Sequence, residues 1–246
     1  EPLHGAVVPG TPHRSGERMI LPIKDENPTK RLPALTVGIL AANVGSFLYL
    51  LSLGTTGFEA TTQRLGAIPF EIAHATDAIS PTPIPLVFTL LTAMFLHGGW
   101  WHLGGNMLYL WIFGNNVEDR LGHFRFLLFY LVCGLAATLA HVASDPESTI
   151  PMVGASGAIA GILGAYLAAF PGARVYVLVI FHVVRIPALI VLGLWFILQL
   201  SHASGDGGGS AGGVAWYAHI AGFVVGFLCM RRLNRRRNRV FGIRGT

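Results

Sequence analysis

LVFTLLTAMFLHGGWWHLGGNMLYLWIFGNNV, residues 86–117, runs for 32 residues without an Asp, Glu, Lys or Arg. As one helix it would be about 48 Å long, well beyond the ~30 Å of hydrocarbon that a single crossing must span. The pair Gly98-Gly99, inside His97-Gly98-Gly99-Trp100-Trp101-His102, favours a break. The stretch therefore reads as two pieces: a short element at 86–96 dipping into the interface, and a membrane span at 100–116. Trp100 and Trp101 open that span, where tryptophans favour the headgroup layer. A chain carrying such a segment is an integral membrane protein.

The composition agrees. Of 246 residues, 52% are hydrophobic and only 12% charged, about half the charge of an ordinary soluble domain. Disorder is excluded, because it needs low hydrophobicity and high charge. The 31 glycines have no collagen period and suit close-packed membrane helices. Cys133 and Cys229 lie in apolar stretches without CxxC or CxxH partners, which argues against a disulfide scaffold or a zinc site. The net charge of +5 is concentrated in Arg231, Arg232, Arg235, Arg236, Arg237, Arg239 and Arg244. Following an apolar run directly, this cluster reads as an anchor on anionic lipid rather than a nucleic-acid surface.

Working outward from 100–116, further spans read at 35–53, 124–143, 154–170, from near Ile186 to 200, and 214–230, six in all. The stretch 175–184 lies on or just inside the membrane surface, and the glycine-rich 201–213 is a flexible loop. Lys24, Lys30, Arg31, Arg120, Arg125, Arg174, Arg185 and the terminal cluster fall on one side. The other side holds Arg64 alone among basic residues, with Glu59, Glu71, Asp77, Asp145, Glu147 and Asp206. The positive-inside rule then puts both termini in the cytoplasm. The expected organisation is a cytoplasmic segment 1–31, a membrane domain 32–230 and a basic tail 231–246. Residues 1–18 lack the apolar core of a signal peptide and are read as an extension before a start at Met19.

Polar residues inside a bilayer are costly and point to function. His102 and Asn106 are four residues apart, on one helix face. Ser156 and His219 each lie within roughly 10 Å of the outer end of their helices, by the rise per residue. Four polar groups from three segments thus share one depth. Singly, each has a blander reading: a membrane serine usually bonds back to its own helix, and Gly222-x3-Gly226 usually means helix packing. Together they favour a catalytic group, because a serine becomes a nucleophile when a base lies within hydrogen-bond reach. Ala158 stands where an α/β-hydrolase elbow needs glycine, so that fold is disfavoured. No HExxH occurs and no paired aspartates sit in spans, which leaves metalloprotease and aspartyl-protease readings unsupported.

His97-x4-His102-x3-Asn106, Gly114-x3-Glu118-x-Arg120-x-Gly122, Gly154-Ala155-Ser156-Gly157 and Ala218-His219-x2-Gly222-x3-Gly226 together resemble the rhomboid family of intramembrane serine proteases. The resemblance implies an all-α, polytopic six-helix bundle of the basic prokaryotic-type form, and hydrolysis of peptide bonds in or beside transmembrane segments. It implies Ser156 as nucleophile, His219 as general base and acid, and His102 and Asn106, with the Ser156 N–H, as oxyanion donors. His97, Glu118, Arg120, Gly157, Gly161, Gly222 and Gly226 match structural positions, and 201–213 matches a loop that caps the site. The Trp-Arg pair of many first loops is absent, with Phe88-Thr89 near the corresponding place. No cofactor or metal is implied. The implied partners are transmembrane protein substrates and the bilayer; the short tails and basic six-span form favour a prokaryotic inner membrane over an organellar one, with the site opening outward.

None of the outer-side acids is close in sequence to His219, and burying one would put a costly charge in the bilayer. The expectation is a Ser156–His219 dyad whose histidine is oriented by helix packing rather than by a carboxylate. A catalytically silent relative that binds membrane clients is the alternative; retention of both Ser156 and His219 argues against it.

Overall fold

The computed structural model describes residues 20–204 and 215–240. The chain is mainly helical. α1 (Ala34–Ser52) is followed by α2 (Gly54–Leu65) and α3 (Pro69–His74). The uncharged stretch quoted above then breaks into a chain of short turns, Leu86–Phe88, α4 (Thr89–Thr92) and Ala93–Phe95. Beyond it come α5 (Trp100–Tyr109), a π-helical turn (Leu110–Gly114) and α6 (Asn115–Leu121). The two arms bend by 81° at the Gly98-Gly99 break. α7 (His123–Ser144), α8 (Ser156–Ala169), α9 (Ala188–Ser204) and α10 (Trp216–Val240) complete the bundle.

Among the described residues two helices, α1 and α7, are long and apolar enough to cross a membrane, and the bent pair 86–121 makes a third when taken as one span. α8 and α9 are apolar but shorter.

α8 is the centre. Every residue from Gly157 to Leu167 is buried, although the helix has no polar face to hide. Such a helix must be enclosed on all sides, and small residues are what let its neighbours close in. A Cβ at Gly222 would run into the Gly157 carbonyl, and one at Gly226 into the Gly161 carbonyl. α10 therefore lies backbone to backbone against α8. On the other side, Gly157 faces Ala137 and Gly161 faces Cys133, both of α7.

α1 lacks a side-chain cap of its own, since Pro33 stands before its first turn. Glu118 supplies the cap from α6. Its Oε1 accepts the Leu35 N–H at 2.9 Å and also meets His123 Nδ1, while its Oε2 accepts the Thr36 N–H at 2.7 Å and the Thr36 hydroxyl at 2.6 Å. A negative group at a helix N-terminus satisfies orphan donors and favours the dipole. Arg120 donates to Asn234 Oδ1 at 2.8 Å, and Asn234 Nδ2 donates to the Ala168 carbonyl at 3.3 Å. These bonds tie α6, α10 and the end of α8 together.

The expectation of an all-α chain needs one correction. β1 (Ile20–Asp25), β2 (Arg174–Val179) and β3 (His182–Pro187) form an antiparallel sheet in the order β1-β2-β3. The stretch read as a plain surface segment is a hairpin, with Ile180 at φ 59° in its turn. Val175 and Val177 are fully buried on alternate positions of β2, the pattern of a half-buried strand. The segment before α1 is thereby partly structured, and the glycine-rich stretch lies from residue 205 to 213 outside the described residues.

Candidate active site

Ser156 opens α8, and the chain reaches it through Gly154. Gly154 has φ +127°, a conformation that side chains other than glycine's rarely adopt. Its N–H donates to the Ala93 carbonyl at 2.8 Å, which pins the turn to the end of the broken element. Glycine is also needed for space: a Cβ there would come within 2.7 Å of His102 Nε2. The backbone thus brings the serine and the His102 ring to the same turn. The first N–H groups of α8 have no intrahelical acceptor and face this end.

His219 is placed by the glycine contact. It precedes Gly222 by less than one turn of α10, so the close approach of α10 to α8 carries its ring to the serine. His219 Nε2 and Ser156 Oγ lie 2.8 Å apart. Ring planes surround the imidazole, with Trp195 at 6.0 Å and Trp216 edge-on at 6.2 Å between centroids.

Ser156, His219, His102 and Asn106 line one cavity of about 610 Å³. Asn106 is buried and its Nδ2 has no hydrogen-bond partner, so a donor points at the cavity unused. A buried amide without a partner is rare and calls for a reason. An acceptor bound beside Ser156 would supply it. His97 is buried behind His102, its ring edge-on at 5.0 Å between centroids. Among the residues expected at the site, Ser156, His219, His102 and Asn106 come together. His97 supports from behind. Glu118 and Arg120 sit at the far end, capping α1 and bridging to α10.

Two residues escape the sequence reading. Gln199, buried on α9, lies with Oε1 2.7 Å from His219 Nδ1. His141, near the end of α7, lines the same cavity and has a buried Nδ1 without a partner. The signal for Gln199 was present: it is the lone amide in an apolar helix, and polar groups in such helices need a partner. Where packing alone was expected to hold the histidine, a neutral side chain touches it. The acids Glu71, Asp77 and Glu147 are engaged elsewhere, with the 79–80 backbone, the Thr82 N–H and His74 respectively.

A hydroxyl hydrogen-bonded to an imidazole nitrogen, beside an unpaired amide donor in one cavity, has the parts needed for acyl transfer.

Comparison with known proteins points the same way. The family model described as Rhomboid domain matches residues 86–236. Rhomboid protease GluP of Bacillus subtilis is 35% identical over 156 residues, covering 63% of this chain and 28% of that protein. Rhomboid protein 1, mitochondrial, of Saccharomyces cerevisiae is 30% identical over 147 residues, 57% of this chain and 40% of its own length. RHOMBOID-like protein 4 of Arabidopsis thaliana is 35% identical over 215 residues, 80% of this chain and 51% of that protein. The matched part of the chain thus spans from 28% to 51% of the length of these relatives.

Proposed function

The chain belongs to the rhomboid family, and from that premise we propose that it is an intramembrane serine endopeptidase acting on transmembrane-segment substrates. The 2.8 Å contact between Ser156 Oγ and His219 Nε2 carries this reading. Ser156 Oγ attacks the scissile carbonyl carbon as its proton passes to His219 Nε2, forming a C–O bond and an oxyanion. His102, Asn106 and the Ser156 N–H stabilise that oxyanion, which is often the largest single catalytic contribution. Collapse breaks the C–N bond, and the imidazolium returns its proton to the leaving amine. Water then repeats the sequence against the ester, releasing the acid and restoring Ser156. No step calls on a cofactor.

The proposed topology is six spans, carried by α1, α5 with α6, α7, α8, α9 and α10, with both ends on the cytoplasmic side. The clustering of basic residues on one side supports it. The cavity would then open toward the outer face of a prokaryotic inner membrane. The proposed organisation keeps 1–31 and 231–246 outside the membrane domain 32–230.

Purified protein in lipid vesicles, incubated with a single-span substrate, should release two fragments. Ser156→Ala should release none, and a fluorophosphonate probe should label wild type at Ser156 only. Binding of the substrate without cleavage or labelling would favour a client-binding relative instead.

A further inference from the structure

Among the described residues, Gln199 is the polar side chain that meets the imidazole nitrogen facing away from the serine. Its Oε1 lies 2.7 Å from Nδ1, and the residue is buried. An amide oxygen only accepts, so at this distance Nδ1 must carry the hydrogen. A neutral imidazole has one N–H, which leaves a lone pair on Nε2. Nε2 is the atom facing Ser156 Oγ at 2.8 Å, so the hydroxyl is the donor there.

The opposite arrangement would be inert. Were an amide N–H to donate to Nδ1, the ring hydrogen would sit on Nε2 and no base would face the serine. We infer that Gln199 is a positioning residue: by accepting the Nδ1–H of His219 it holds the ring in the tautomer and orientation in which Nε2 takes the Ser156 proton. The inference rests on the serine-protease reading above and adds a neutral third member to its dyad.

A neutral partner fits the setting. A carboxylate would stabilise the transient imidazolium more strongly, but an unpaired charge buried among apolar helices is costly between turnovers. The amide dipole orients without that charge. The other groups near the ring reinforce the need. Trp195 and Trp216 are ring contacts that restrain its plane but accept no hydrogen from Nδ1. His102 and His141, from α5 and α7, line the same cavity as Ser156. Packing fixes where the ring lies; Gln199 decides which nitrogen is bare.

Gln199→Met keeps length and helix preference and removes the acceptor, while Gln199→Glu keeps an acceptor. In vesicles, Gln199→Met should lower kcat on the order of ten- to a hundredfold, part of what a general base contributes, with KM unchanged. Labelling of Ser156 by the fluorophosphonate should slow by the same factor, and Gln199→Glu should restore most of both. The ring-nitrogen NMR shifts of His219, assigned by loss in His219→Ala, should show the Nδ1–H tautomer in wild type and a mixture in Gln199→Met. Wild-type kcat and labelling in Gln199→Met would overturn the inference. So would equal losses in both variants with a lowered melting temperature, which is a packing role. Absence of labelling and cleavage in wild type would sink the protease reading itself, and the NMR tautomer would still judge Gln199.

Discussion

Tyr166 donates its hydroxyl to Asp25 Oδ2 at 2.8 Å, tying the strand before the first helix to the helix that carries Ser156. Asn116 Nδ2 donates to the same oxygen at 2.7 Å. Asp25 is buried at the end of β1, so the small sheet is bolted to the bundle through one carboxylate. Replacing it with alanine takes this acceptor from the Tyr166 hydroxyl and from Asn116 Nδ2, which keeps only its bond to Asn115 Oδ1 at 2.9 Å. Asp25→Ala should cost about 1–3 kcal/mol, and Asp25→Asn less, measured by thermal or denaturant unfolding.

The same carboxyl makes a pH prediction. Burial, the largest influence, pushes Asp25 above its ordinary 3.8, against the hydrogen bond from Tyr166. The folded state therefore holds this proton more tightly than the unfolded one. Its contribution is most favourable below 3.8, declines as pH rises toward the raised folded value, and is constant above it. Across that window wild type should lose melting temperature relative to Asp25→Asn, which does not titrate. Parallel curves for the two proteins would show that Asp25 titrates normally.

Gly222 and Gly226 are each opposed by a backbone carbonyl of α8, which cannot rotate away as a side chain can. Even Gly222→Ala or Gly226→Ala must push α10 outward, and overpacking of this kind costs about 1–3 kcal/mol. Gly222→Val and Gly161→Val should lose more, together with activity, because His219 rides on the displaced helix. Gly38→Ala on α1, with open space at its Cβ, is the control and should be neutral or mildly stabilising. If the α10 variants melt and cleave like the control, the close approach does not hold His219 in place.

His102 and Asn106 are proposed to meet charge that exists only in the transition state. Alanine at either should lower kcat more than it raises KM, on the order of a hundredfold for a lost donor. Redundancy can soften each single change, so the double variant is decisive. A double variant that turns over at the wild-type rate removes both from the site.

The residues of the site are legible in sequence because each interrupts an apolar run and each shares a depth with the others. Ser156 and His219 need no long-range knowledge beyond two glycine-spaced helices that pack. The sheet is harder to see. β1 pairs with β2 across most of the chain, and Pro22 within β1 weakens its strand pattern. The alternation in Arg174-Val-Tyr-Val-Leu-Val179 was visible, yet an apolar run beside a span reads equally well as interfacial. Gln199 is hidden for another reason. Its meaning depends on α9 meeting α10 at the level of His219, and no spacing within either helix encodes that meeting.

The acids that the proposed topology sets on the outer side offer the last test. A triad would place a carboxylate on His219 Nδ1, and that position is occupied by Gln199. Glu71 is buried but spends one oxygen on the Ile79 and Ser80 N–H groups at 2.8 and 3.0 Å. Asp77 accepts from the Thr82 N–H, and Glu147 pairs with His74. These carboxylates shape the loops between α3 and α4 and after α7. Neutralising Glu59, Glu71, Asp77, Asp145, Glu147 or Asp206 singly should therefore leave substantial cleavage, whereas Ser156→Ala and His219→Ala should each abolish it. Glu71→Gln should lower the melting temperature most, because the acceptor of two loop N–H groups is weakened, while its activity at permissive temperature persists. Cleavage assays of the six variants at matched folded fraction decide the matter. One acid variant as inactive as Ser156→Ala, yet with a wild-type melting curve, would mean that a carboxylate completes the site.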